Sequence, residues 1–232
     1  MAARQKDNER ARKRQSFPID KAMGILRRTI EKLRVAPYVS EGARADRDPF
    51  RILISTILSL RTRDQPTQLA AEALFAIART PRAMMQLPAE QIAEAIRPVL
   101  YYHNKARTIR DVSRRLEEEY GGRVPDEIDE LLQFNGVGRK TANLVVTLAY
   151  GKPGICVDTH VHRIANRWGL VETKTPHETE FALRRRLPRR YWLAVNGWLV
   201  SFGQRICRPI SPFCSQCPLL KYCAQMGVAR RR

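Results

Sequence analysis

The sequence predicts an all-α protein, and three observations carry that expectation. Apolar residues recur with a helical period nearly throughout the 232 residues. No alternating run of β-branched and aromatic residues demands a strand. Helix-start and helix-stop signals punctuate the chain from Asp48 onward.

Asp48-Pro49 precedes FRILISTILSL, and Asp64 precedes QPTQLAAEALFAIA; a side-chain oxygen ahead of a helix satisfies first-turn N–H groups, and Pro fits that turn. Thr80-Pro81 opens the short RAMMQL segment, and Pro88 precedes AEQIAEAIRPVL. Asn104 leads into KARTIRDVSRRLEEEY, which should stop at Gly121-Gly122 because glycine tolerates the left-handed backbone of a helix end. Pro125-Asp126 opens EIDELLQF, Asn135-Gly136-Val137-Gly138 reads as a tight turn, and Arg139 begins the next helix. Within that helix KTANLVVTLAY is apolar enough to require burial, and Gly151-Lys152-Pro153-Gly154 ends it. HVHRIANRWG follows Asp158-Thr159, and residues 189–204 form a further helix with Trp192, Trp198 and Phe202 facing inward. About ten helices result, with no solenoid repeat and no low-complexity linker.

Charge narrows the partner. Lys and Arg number 42 against 23 Asp and Glu, a formal net charge of +19. Self-repulsion of that size opposes compaction unless a polyanion is near, and nucleic acid is the polyanion to expect. No apolar stretch is long enough for a membrane span, and no helix shows a bulky apolar face left over for lipid, so no membrane partner is expected. The N-terminal arm, 1–16, is basic but lacks the apolar core of a secretory signal. It reads as a solvated arm or as one that touches phosphate, and the chain is expected in the cytoplasm with the nucleoid.

Four of the five cysteines, Cys207, Cys214, Cys217 and Cys223, crowd near the end of the sequence, whereas Cys156 stands alone and reads as a small buried residue. Disulfide frameworks scatter pairs across small secreted chains, so metal is the better reading of this cluster. One short knuckle flanked by two mid-length loops leaves zinc and a [4Fe–4S] cubane both open on spacing alone. Arg208 and Lys221, between the ligands, would offer cations to phosphate.

Two further segments point to chemistry. In LLQFNGVGRKTANLVV, Gly136 and Gly138 let the backbone turn sharply, and the helix that starts at Arg139 presents free N–H groups and a positive dipole end. That is an anion site, or else a bare helix-turn-helix corner. Lys140 lies in the first turn of this apolar helix; it is either a solvated side chain or an amine placed for nucleophilic attack. Asp158, ahead of Thr159-His160, has the position of an N-cap, a role compatible with a catalytic one.

LLQFNGVGRKTAN, then VDTHVHR with Asp158 eighteen residues after Lys140, then the cysteine tail together closely resemble the endonuclease III family. This is the iron–sulfur branch of the helix-hairpin-helix DNA glycosylases, and the similarity runs from about Asp48 to Cys223. The resemblance implies two helical domains with DNA in a cleft between them: a six-helix barrel at 42–155 that contains the helix-hairpin-helix (about 126–150), and an iron–sulfur domain made of 17–41 and 156–232. It favours a [4Fe–4S] cluster on the four clustered cysteines. It also implies a monomer acting on double-stranded DNA that contains damaged bases or abasic sites. Lys140 would be the nucleophile and Asp158 the catalytic carboxylate of a bifunctional glycosylase/AP lyase that excises oxidised pyrimidines of the thymine glycol type. A monofunctional mismatch glycosylase would lack the lysine, and a non-catalytic iron–sulfur DNA-binding protein would need neither residue. DNA contacts are expected from Gly136, Gly138, Arg139 and His160, and from two departures. Arg61 stands where well-known members carry Gln, facing the gap left by a flipped base, and Tyr101 stands where a Leu wedge is familiar. Asn135 replaces the usual Pro of the hairpin.

Overall fold

The computed structural model describes residues 17–33 and 47–232, so the arm at 1–16 and the expected domain junction at 41–42 lie outside the described residues. The described elements are helical, with no strand among them. Contacts divide the chain into two units, Pro37–Gly154, and Met1–Ala36 together with Ile155–Arg232.

The first unit holds α2 (Pro49–Ser59), α3 (Asp64–Ile77), α4 (Pro81–Gln86), α5 (Ala89–Ala95), α6 (Tyr102–Tyr120), the single turn α7 (Ile128–Leu131) and α8 (Arg139–Leu148). Asp48 caps α2 as expected, its Oδ1 accepting from Phe50 N at 2.9 Å. Phe50 through Leu58 in α2, Arg51 excepted, and Thr141 through Thr147 in α8 are buried, because both segments are apolar on nearly every side and pack together in the middle of this unit. α4 and α5 lie on α6, whose Ile109, Val112 and Leu116 line the inward stripe. Gly121, at φ +60°, closes α6 with its N–H on Leu116 O.

Three boundaries in this unit differ from expectation. Asp64 lies inside the first turn of α3, and Arg63 holds the cap position with no side-chain bond. α6 begins at Tyr102 instead of after Asn104, with Tyr101 at its N-cap in the left-handed region. The EIDELLQF helix reduces to one turn, because the chain bends at once through Gln133 N to Glu130 O and Phe134 N to Leu131 O to enter the glycine hairpin.

The second unit comprises α1 (Ile19–Leu33), α9 (Thr159–Trp168), α10 (Pro176–Arg186) and α11 (Trp192–Arg205), followed by the cysteine segment. Its core centres on Trp168, which stacks on Phe17 (centroids 5.4 Å apart) and meets Phe202 edge-on at 6.2 Å. Residues 189–191 form a 3₁₀ turn, so the helix expected over 189–204 begins at Trp192. Trp192 and Phe202 are buried; Trp198 is half-buried against Tyr191.

Candidate functional site

In the first unit the hairpin is built as its glycines require. Gly136 sits at φ +80°, and a Cβ there would meet Thr108 Cγ2 at 2.6 Å, so both backbone and space select glycine. Val137 N donates to Phe134 O at 3.0 Å and closes the turn. Gly138 is the N-cap of α8, with open space where a side chain would be and no side chain of its own to cap the helix. The first-turn N–H groups therefore face outward at the positive end of the helix dipole. Half-buried Lys140 lies in that same turn, beside half-buried Arg139.

Arg61 and Tyr101 belong to the same unit. Both lie in the left-handed region, at φ 56° and φ 59°, which is costly for side chains of this size. Tyr101 is 59% exposed, whereas half-buried Tyr102 lies against His103, with ring centroids 4.2 Å apart and the planes tilted by 32°. Arg61 is exposed as well.

In the second unit Asp158 caps α9, its Oδ1 accepting from His160 N at 2.9 Å and Val161 N at 2.8 Å. Both bonds go to one oxygen, so the cap engages half of the carboxylate. Replacing Asp158 with Ala is expected to lower stability by about 1–2 kcal/mol through loss of the cap, and Asn, which keeps an accepting oxygen, should recover most of it. Denaturant melts check this; equal losses for Ala and Asn would contradict the cap. The His160 ring is held by its Nδ1, 3.1 Å from Arg163 Nη2. His162 Nδ1 lies 2.7 Å from Thr179 Oγ1, and burial lowers its pKa, which suits a neutral structural ring.

The four clustered cysteines, all free thiols, line one pocket together with Trp168, Phe202 and Phe213, among others. Among the described residues no three His, Cys, Asp or Glu side chains stand close enough to hold a single metal ion. Burial pushes Cys217 up to about 11 and Cys223 up to about 12, so as bare thiols they hold their protons at neutral pH. Only bound positive charge would make this pocket hospitable to four thiolates.

Two arginines that the sequence reading passed over shape this pocket. Arg167, 7% exposed, donates to Arg208 O and Pro209 O at 2.6 Å each and lies 3.5 Å from Cys207 Sγ. Arg163 Nη2 donates to Cys207 O at 2.9 Å. Their spacing of four residues on α9 was the available signal, since it places both on one helix face. Arg208 and Lys221 are exposed on the loops between the cysteines.

Residues 54–189, more than half of the chain, match the model of the HhH-GPD superfamily base excision DNA repair proteins. Endonuclease III of Thermotoga maritima is 51% identical over 176 residues, covering 76% of this chain and 83% of that protein. The chain belongs to the endonuclease III family. Solved structures agree. A non-covalent endonuclease III–DNA complex matches with TM-score 0.79 at 34% identity over 90% of this chain and 96% of that one. A trapped covalent endonuclease III–DNA intermediate matches with TM-score 0.73 at 38% identity, over 76% and 83%. This endonuclease III relative is accordingly a base excision repair DNA glycosylase.

Proposed function

We propose that this chain is a bifunctional DNA glycosylase/AP lyase that excises oxidised pyrimidines of the thymine glycol type and cleaves at abasic sites. The observation that carries the reading is Lys140 in the first turn of a helix that opens from a glycine hairpin. The hairpin's outward N–H groups are suited to a DNA phosphate, and this would set the lysine beside the sugar that follows. The damaged nucleotide must leave the stack for its C1′ to be reached.

In this reading Lys140 Nζ forms a bond to C1′ as the glycosidic C1′–N bond breaks and the base departs with a proton. Loss of the remaining amine proton opens the sugar ring: O4′ takes a proton and an imine forms. Removal of a C2′ proton then expels the 3′ phosphate by β-elimination, and water releases the enzyme. Asp158, with one oxygen engaged in its cap, supplies negative charge for the cationic sugar and a site for the transferred protons. The monofunctional alternative would leave Lys140 without a chemical task. The non-catalytic alternative would leave Asp158 as a cap alone.

Cys207, Cys214, Cys217 and Cys223 fit a [4Fe–4S] cluster by their chemistry: all four are thiols, unpaired by disulfides, and all four line one pocket. The cluster would supply structure, fixing the loops whose Arg208 and Lys221 meet phosphate, and no chemical step. The protein would act as a monomer on double-stranded DNA, in the cytoplasm with the nucleoid. With a net charge of +19, affinity should fall by on the order of 10³-fold or more between 50 and 200 mM salt, as neutralised phosphates release their counterions. Binding isotherms across salt check this; a flat response contradicts it. The reaction itself is tested by offering duplexes with thymine glycol, uracil opposite guanine, or an abasic site. Free thymine glycol and a 3′-unsaturated aldehyde end are the expected products; base release with an intact strand would favour the monofunctional reading.

A further inference from the structure

Lys105 is a buried amine that the proposed chemistry does not use. It is 7% exposed in the first turn of α6, and its three N–H bonds have three acceptors: Leu58 O at 2.7 Å, Leu60 O at 2.8 Å and Thr62 Oγ1 at 3.1 Å. These acceptors all lie on the end of α2 and the loop that carries Arg61. Leu60 and Thr62 are the residues on either side of Arg61. The same Thr62 Oγ1 accepts from Leu100 N at 3.2 Å, and Lys105 N donates to Tyr101 O at 3.0 Å. Leu100 and Lys105 thereby bracket Tyr101 as Leu60 and Thr62 bracket Arg61. Burial draws the Lys105 pKa down to about 8, a cost that a merely space-filling side chain would not incur.

The two residues so bracketed are exposed, large, and held in the left-handed region that such side chains rarely occupy. Neither loop carries a glycine to make that backbone easy, so each conformation depends on its neighbours. We infer that Lys105, with Thr62, is a positioning residue that locks the Arg61 and Tyr101 turns to each other, so that the two side chains enter damaged DNA as one preformed pair. This rests on the reading of the chain as a glycosylase that extrudes its target, with Arg61 and Tyr101 filling the helix. A preformed pair lowers the ordering cost of opening the duplex; two independent loops would each have to be ordered by the DNA.

The test compares wild type, Lys105→Met and Thr62→Val in single-turnover base release from thymine glycol, with 2-aminopurine beside the lesion to report unstacking. One duplex pairs the lesion normally; a second sets it opposite a stable abasic analogue, where pairing is already broken. Both variants should slow release and fluorescence rise on the paired duplex by about tenfold or more, the size expected when a buried charged hydrogen bond is lost. On the pre-opened duplex they should stay within about twofold of wild type, which a general loss of fold could not produce. If Lys105→Met does not fold, Thr62→Val, which keeps the shape and removes only the shared hydroxyl, decides alone. Equal slowing on both duplexes, or none on either, overturns the inference. A wild type that releases base without any fluorescence rise overturns the underlying extrusion reading instead, before any variant is compared.

Discussion

Lys140→Gln is expected to abolish both base release and strand cleavage, lowering single-turnover rates by on the order of 10⁴-fold or more, as removal of a covalent nucleophile does. The side chain keeps its approximate length and polarity, so binding should survive. Lys140 is half-buried in the first turn of α8, and glutamine, with a shorter side chain, needs no more room than lysine. The expected pattern is thus a variant with near-normal affinity for abasic duplex and no turnover. Gel-shift binding and product gels on the same preparation check it. A variant that still cut abasic DNA at a tenth of the wild-type rate would remove Lys140 from the chemistry.

Cys214→Ala is expected to have the largest effect on the second unit. On the proposed ligand set, three thiols would hold a four-iron cluster less well than four, even with Arg163 and Arg167 fixing the carbonyls of residues 207–209. Without the proposed cluster, half-buried Cys217 and Cys223 are left as protonated thiols in an apolar pocket, and the segment is held to α9 only as far as the hydrogen bonds at residues 207–209 and 223 reach. The loss should reach several kcal/mol, the range seen when a structural metal is removed. The variant should emerge without the visible iron–sulfur absorbance, with bound iron falling and the melting transition lowered or lost. A colourless but equally stable protein would mean that the pocket holds itself together. A variant retaining four irons would refute the ligand assignment.

How far the sequence spoke depended on whether a feature was local. Helix caps were legible: Asp48, Thr80 and Asp158 all accept first-turn N–H bonds, as side-chain oxygens at those positions should. The hairpin was legible because Gly136 is required twice over, by its φ and by the approach of Thr108. Two helices were not read from their own residues although the signals were present, the first being expected only through the 17–41 piece of the iron–sulfur domain that the resemblance implies. α1 carries Ile19, Ala22, Met23, Leu26 and Ile30 at helical spacing, and α10 opens on Thr175-Pro176 with Glu178 reaching back to Lys174 N. The left-handed turns at Arg61 and Tyr101 were not legible, since arginine and tyrosine give no local reason for positive φ. Their cause is tertiary: Lys105, which nothing in its neighbouring residues singles out, reaches back more than forty positions to Leu58, Leu60 and Thr62. The arginine buttress of the cysteine pocket escaped notice for the same reason, since its acceptors are carbonyls forty residues away.

The central assignment, a covalent mechanism through Lys140, is tested most directly by borohydride trapping. Wild-type protein would be incubated with thymine glycol duplex and with abasic duplex while borohydride is present, and the adduct digested and mapped by mass spectrometry. Reduction of an imine would leave a stable secondary amine joining sugar to protein on the peptide that contains Lys140. Base release with no adduct on either duplex, or an adduct mapped to another amine, would contradict the assignment.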